Sequence, residues 1–231
     1  MKKIMVMGDI HGSWGHVNIL INKKYDEIAS ILQCGDFGYW PNFHDKTEIT
    51  PLGHRYTFDN YGLKNKDIPI YFCDGNHENH PALLKGDKIL EDKNIHYMKR
   101  GTTLTLEDGQ VVLFMGGAKS IDKKFRLAGH DWFPEESITE KELYSLPDVK
   151  VDIVISHTCP KKFNITYDRI GFGDFKDENR DKLDYVLMKY KPRLWAFGHF
   201  HKHQTGLAKG CQWTALDMAG SSGKWWIWLP E

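Results

Sequence analysis

Lys3-Ile4-Met5-Val6-Met7-Gly8-Asp9-Ile10-His11-Gly12 begins as a short apolar run and ends in an Asp-x-His flanked by glycines. Five residues of this kind suit a buried strand, and Gly8–Gly12 suits the loop after it. A basic start followed by apolar residues also resembles a secretion signal. The apolar run is too short for one, and Asp9 and His11 interrupt it. The same arrangement recurs along the chain. Ile28–Gln33 runs into Gly35-Asp36-Phe37-Gly38, and Ile68–Cys73 into Asp74-Gly75-Asn76-His77-Glu78. Val151–Ile155 leads to Ser156-His157-Thr158, and Leu194–Phe197 to Gly198-His199-Phe200-His201. In open α/β sheets, sites gather at the carboxyl ends of strands. Three Asp or Asn residues and five His residues stand at such places here.

Between these strands the periodicity predicts helices at Trp14–Lys24 and Glu178–Tyr190, the second closed by Pro192. A short helical segment begins at Pro81–Leu84. Thr102–Leu106 and Val111–Met115 flank Glu107-Asp108-Gly109-Gln110, which reads as a hairpin. Ser137-x-x-Glu140 reads as a capping box for a helix over Thr139–Ser145. Gln212–Ala215 and Lys224–Leu229 read as terminal strands. Residues 39–65 lack periodicity and carry Tyr39, Trp40, Phe43, Tyr56, Phe58 and Tyr61. A lid or insertion is expected there, its aromatics either stacking on a substrate or anchoring the loop. The expected architecture is α/β: a sandwich of sheets with helices outside, in up to four layers, forming one domain over 1–231.

Composition sets limits on function. The chain has 231 residues, 41% hydrophobic and 27% charged, as in ordinary globular proteins. Lys+Arg and Asp+Glu both number 31, so the formal net charge is zero. That balance argues against a protein that coats nucleic acid or lies on membranes. No stretch approaches the length of a membrane span. Cys34, Cys73, Cys159 and Cys211 are widely spaced, without a C-x-x-C pair. They are expected to be reduced structural thiols in a cytoplasmic protein.

The five segments carry metal-type chemistry. In extended backbone, residues i and i+2 share a face, so Asp9 and His11 can reach one ion, as can His199 and His201. Asp36 stands alone after its strand and has two oxygens with which to bridge two ions. Asn76 offers a neutral oxygen and His157 an imidazole. Mixed nitrogen and oxygen donors suit Mn, Fe, Ni or Zn better than Mg or Ca.

The ordered set Gly-Asp-Ile-His-Gly, Gly-Asp-x-Gly, Gly-Asn-His-Glu, Ser-His and Gly-His-x-His resembles the calcineurin-like metallophosphoesterase superfamily from Asp9 to His201. The resemblance implies a four-layer β-sandwich flanked by helices, with two divalent metal ions, Mn being expected. It places Asp9, His11 and His201 on one ion and Asn76, His157 and His199 on the other, with Asp36 between them. His77 would face the leaving group. The implied reaction is hydrolysis of a phosphate ester by a metal-activated hydroxide.

The chain departs from the protein Ser/Thr phosphatases of that superfamily. Gly38-Tyr39-Trp40 and Cys73-Asp74 stand where those enzymes carry phosphate-gripping arginines and a supporting Asp. The Gly-Gly-Ala-x-Ser-Ile-Asp-Lys run from Gly116, with Trp132-Phe133-Pro134-Glu135-Glu136 after it, is similar to a branch of small bacterial and phage members. Arg126 and Lys123 in this stretch are candidate substrate-binding cations. The expected partner is a small phosphorylated substrate, a diester or monoester and plausibly a nucleotide. A nucleic-acid polymer is disfavoured by the lack of net basic charge. The alternatives are a protein Ser/Thr-type phosphatase and a catalytically silent metal-binding scaffold.

Overall fold

The structure is a computed structural model that describes residues 2–40, 64, 66–86, 90, 92–166 and 176–230. Apart from Tyr39, Trp40 and residue 64, the expected insertion lies outside the described residues.

Two sheets form the centre. The first has the order β11-β1-β2-β3-β4, with β1 at Lys3–Met7, β2 at Ile28–Gln33, β3 at Ile70–Phe72, β4 at Ile95–Tyr97 and β11 at Trp226–Trp228. Strands β1 to β4 run parallel, and β11 closes the edge antiparallel to β1. The second has the order β5-β6-β7-β8-β10-β9: Thr103–Thr105, Val111–Met115, Ile153–Ser156, Leu194–Phe197, Cys211–Ala215 and Gln204–Ala208. Its four inner strands are parallel and both edge strands antiparallel.

The period-2 alternation of each strand assigns its two faces. Val6, Leu32, Phe114 and Ile155 point between the sheets. Met5, Met7 and Ile31 point outward onto Trp14, Val17 and Ile21 of α1 (Trp14–Lys24). On the far side Leu113, Val154 and Trp195 meet two helices, α3 (Glu140–Tyr144) and α4 (Glu178–Tyr190). The chain is therefore layered helix, sheet, sheet, helix. The inward residues of α4, Leu183, Val186 and Leu187, are buried. Burying each contributes about 1.5–3 kcal/mol. The terminal tryptophans obey the same alternation: Trp226 and Trp228 face the α1 side while Ile227 faces the other sheet.

Most expected elements fall within a residue or two of their places. The short α2 spans His80–Lys85, capped by Asn79 Oδ1, which accepts from Ala82 N at 3.1 Å. The capping box of α3 lies two residues later than expected. Thr139 Oγ1 accepts from Glu142 N at 3.2 Å, and Glu142 Oε2 accepts from Thr139 N at 2.6 Å. Ser137 is committed elsewhere: it ends the 3-10 turn Pro134–Glu136, donating its N–H to Pro134 O. Strands β4 and β9 carry no sequence signal of their own. Gly206 in β9 lies under the Trp213 ring, where a Cβ would come within 2.3 Å of it. All four cysteines are buried free thiols. Among the described residues no helix is long and apolar enough to cross a membrane.

Candidate metal centre

Strand ends from both sheets deliver the donor residues to one place. β1 leads to Asp9 and His11, β2 to Asp36 and β3 to Asn76. β7 leads to His157, and β8 to His199 and His201. Backbone bonds tie these ends together. Ile10 and His11 both donate N–H to Asp36 O, at 3.0 and 2.8 Å, and Gly198 donates to His157 O at 3.0 Å. Side chains reinforce them: Asp9 accepts from His199 N at 2.9 Å, and Asp36 Oδ1 from His77 N at 2.7 Å. Gly75 permits that approach, since a Cβ there would lie 2.0 Å from Asp36 Oδ1. His11, Asp36, His199 and His201 all adopt positive φ, between 46° and 66°. That region is uncommon for non-glycine residues, although Asp and His enter it more readily than most.

Two groups of donors result, sharing Asp9. In the first, Asp9 Oδ2 lies 2.9 Å from His201 Nε2 and 3.6 Å from His11 Nε2, and the two Nε2 atoms are 3.0 Å apart. In the second, His157 Nε2 lies 3.3 Å from Asp36 Oδ2 and 3.0 Å from Asn76 Oδ1. Asp36 Oδ2 is also 3.6 Å from His11 Nε2, so this carboxylate stands between the groups. The His199 ring lies against that of His157, centroids 4.9 Å apart.

The tautomer of His157 is set by its surroundings. Nδ1 faces the carbonyl of Cys34 at 2.9 Å, an acceptor only, so Nδ1 carries the proton. Nε2 faces two further acceptors, Asn76 Oδ1 and Asp36 Oδ2. These atoms need a cation among them: a proton on Nε2 meets the need when no ion is bound, and the mixed nitrogen and oxygen set fits a divalent transition metal in its place. The electrostatics show how strongly the place attracts positive charge. Burial lowers the affinity of His157 for a proton, but Asp36 and Asp9 outweigh it and carry the ring up to about 10. Burial would raise Asp9 and Asp36, yet the surrounding histidines hold both carboxyls below the usual range. Burial takes His199 down to about 3, and His77 is also held well below its ordinary value, chiefly by burial.

The residues around the donors explain the departures seen in the sequence. Tyr39 and Trp40 are both buried, so they anchor the loop after Asp36 to the body and are not open to stack on a ligand. The Trp40 indole donates to His77 O at 3.1 Å. The Phe43, Tyr56, Phe58 and Tyr61 side of that expectation lies outside the described residues. Glu78 organises the same loop. Oε1 accepts from Phe37 N at 2.5 Å and Gly38 N at 3.2 Å, and Oε2 from Tyr39 N at 2.8 Å. Asp74 is fully buried and paired with Arg100, whose Nη2 lies 2.5 Å from its Oδ2. Tyr97 Oη also donates to it, at 3.0 Å.

Of the two candidate cations, Arg126 lies beside the cluster. Its side chain is 3% exposed. It donates to Asn76 O at 3.0 Å and Asp122 Oδ2 at 2.8 Å, and its Nη2 lies against both ring nitrogens of His77. Lys123 is exposed, and its ammonium sits 3.9 Å over the Trp132 ring. His130 is exposed, and His80 is buried beside Asp74. Ser120 and Glu136 lie within the two stretches quoted for the resemblance, but no sequence signal assigned them, or Arg100, a part in the site; their long-range contacts with Asn76 and Asp74 reveal it.

Comparison with known proteins bears on the family and the fold. Residues 2–203 fit the family model of calcineurin-like phosphoesterases. A comparison with curated proteins finds no match. Among solved structures, TT1561 of Thermus thermophilus is similar at 12% identity, with 94% of this chain and 90% of that chain covered and a TM-score of 0.55. An archaeal phosphodiesterase is 12% identical, with 94% and 84% covered and a TM-score of 0.45. Phosphopantetheinyl hydrolase from Mycobacterium tuberculosis is 13% identical, with 100% and 96% covered and a TM-score of 0.48. The first of these speaks for the fold alone. The family model spans most of the chain, including every donor described above: this chain belongs to the calcineurin-like phosphoesterase family, whose members are phosphoesterase-type hydrolases.

Proposed function

We propose that the chain hydrolyses a small phosphate ester with two divalent metal ions. The reading is carried by the convergence of His157 Nε2, Asn76 Oδ1 and Asp36 Oδ2 in a buried place. Asp9, His11 and His201 would hold one ion, and Asn76, His157 and His199 the other, with Asp36 between them. Bound ions, manganese foremost and Fe, Zn or Ni otherwise, would supply Lewis acidity and an activated water.

The remaining chemistry belongs to the chain's own side chains. His77 stands edge-on to His11, ring centroids 5.1 Å apart, so it borders the donor cluster. The Arg126 guanidinium lies against both ring nitrogens of His77, and its positive charge adds to burial in keeping the ring neutral. His77 would face the departing oxygen. Arg126 brings a fixed positive charge to the same edge, in the role of the arginines missing before Gly75 and after Asp36. One such arginine grips a dianionic monoester less firmly than a pair, which favours diesters, nucleotides among them. Zero formal net charge disfavours a polymeric nucleic acid, whose binding needs a basic track.

The test is hydrolysis of p-nitrophenyl phosphate and bis-p-nitrophenyl phosphate with Mn²⁺, with EDTA as control, followed by nucleotides and cyclic nucleotides. Turnover of the diester above the monoester, abolished by EDTA and by Asp36→Asn, is expected. His77→Ala should lower the rate and leave bound metal unchanged. Metal-loaded protein that hydrolyses none of these would refute the proposal.

A further inference from the structure

We infer that Ser120 and Glu136 are positioning residues that decide which end of the Asn76 amide faces the donor cluster. The inference rests on Asn76 serving as a metal-facing donor. The two ends of an amide are alike in shape and opposite in chemistry, so only their partners choose between them. Asn76 Nδ2 donates to Ser120 Oγ at 3.1 Å, which turns Oδ1 toward His157 Nε2.

Ser120 can accept that bond because its own proton goes elsewhere. Its hydroxyl donates to Glu136 Oε2, and its backbone N–H donates to Glu136 Oε1 at 3.1 Å. A backbone N–H is never an acceptor, so Oε1 is fixed as one. Asn76, Ser120 and Glu136 are 4%, 2% and 2% exposed, which leaves little room for water to replace a partner.

Glu136 is itself pinned. Its carbonyl accepts from Ala118 N at 3.1 Å. Arg100 donates to the carbonyls on either side, Glu135 O at 2.7 Å and Ser137 O at 2.8 Å. Arg100 is the partner of Asp74, which lies two residues before Asn76. Hydrogen bonds thus close a loop that starts and ends at the exit of β3. With Glu136 as a carboxylate both of its oxygens accept, and the donor–acceptor direction around the loop then admits one orientation of the amide.

The experiment measures Mn²⁺ stoichiometry and affinity by equilibrium dialysis, with circular dichroism to confirm folding. Ser120→Ala should weaken one Mn²⁺ site by about 10–100-fold, the usual effect of losing an outer-shell partner, and leave the other site unchanged. Ser120→Thr keeps the hydroxyl and should bind as the parent does. Glu136→Gln offers one acceptor and one donor where two acceptors are needed. It should reverse the hydroxyl and behave as Ser120→Ala, giving a second test. Ser120→Ala added to Asn76→Ala should cost nothing further, because Ser120 acts through Asn76. Unchanged affinity in Ser120→Ala or Glu136→Gln, or additive losses in the double variant, would overturn the inference. A parent protein that takes up no Mn²⁺ would instead overturn the metal reading on which it rests.

Discussion

Replacing Arg100 by Met tests why this chain carries Asp74 where related phosphatases carry arginine. The pair is buried on both sides, the Arg100 side chain 5% exposed and that of Asp74 0%. Burial opposes the ionisation of Asp74, but Arg100 beside it keeps the carboxyl below its ordinary value. Arg100→Met fills similar volume and leaves the carboxylate with Tyr97 Oη as its hydrogen-bond donor among the described residues, His80 Nδ1 standing 3.9 Å away. Removing one partner of a buried pair costs about 3–5 kcal/mol. The carbonyl of half-buried Ser137 also loses its donor, adding about 1 kcal/mol, while exposed Glu135 can turn to water. A loss of about 4–6 kcal/mol is expected, read as a lower urea midpoint by circular dichroism. At about 2–4 °C per kcal/mol for a chain of this size, Tm should fall by about 8–24 °C. Adding Asp74→Asn removes the stranded charge and should recover a large part of the loss. A loss below about 1 kcal/mol, or a double variant no more stable than Arg100→Met alone, would show that the pair does not hold this end of β3.

Three further outcomes follow from the geometry. Gly75→Ala places a Cβ 2.0 Å from Asp36 Oδ1 and 2.3 Å from its backbone N, so Asp36 must move. A stability loss of about 1–3 kcal/mol is expected, with weakened Mn²⁺ retention on dialysis; unchanged metal content would count against Asp36 as a donor. Thr139→Ala removes one half of the α3 capping box, away from the cluster, and should cost about 0.5–2 kcal/mol in urea unfolding with activity intact. Mn²⁺ at 100 times its dissociation constant should stabilise the protein by about 2.7 kcal/mol, raising Tm by about 5–11 °C. A Tm that does not respond to Mn²⁺ would mean that the cluster is not a metal site.

The donors were legible because each follows an apolar run and strand alternation is a short-range signal. Spacing paired Asp9 with His11, which the fold does bring together, but it also paired His199 with His201. His201 joins Asp9 and His11 while His199 lies against His157, because these histidines adopt positive φ and not the extended backbone that the pairing assumed. The joining of the segments was not legible either: His11 Nε2 and His201 Nε2 meet at 3.0 Å across 190 residues, a contact that depends on the stacking of two sheets. The same limit hid Asp74–Arg100 and Ser120–Glu136, whose residues look like ordinary loop polarity until the fold buries them. Strand β9 was illegible for another reason. It is an edge strand whose Leu207 is 71% exposed and whose Gly206 makes room for a neighbour's ring, so it lacks a buried alternation. At α3 the local signal was ambiguous. Ser137 and Thr139 both precede a Glu by three residues, and only the tertiary use of Ser137 selects the second.

The positive-φ residues separate into two kinds, and the division bears on function. Seven described non-glycine residues adopt positive φ, and three of them, Asn94, Lys191 and Lys209, lie outside the cluster. Lys191 caps α4, and Lys209 forms the turn between β9 and β10 with Gly210. Left-handed backbone is common at helix ends and tight hairpins. The other four are His11, Asp36, His199 and His201. Left-handed backbone costs such residues about 1–2 kcal/mol each. His11 is held there by its N–H on Asp36 O, and His199 by its N–H on the Asp9 carboxylate. The cluster thus combines backbone strain with buried carboxylates, both unfavourable to folding. Strain of this kind persists where surrounding structure over-determines it, and it concentrates at functional sites. Glu78, which accepts from the loop after Asp36, and Asp74 with Arg100 behind Asn76, are that surrounding structure. Burial pushes the Glu78 carboxyl well up, while Asp74 and Arg100 form a buried ion pair. Both groups position donors, which accounts for polar investment in a region where an apolar core would be more stable.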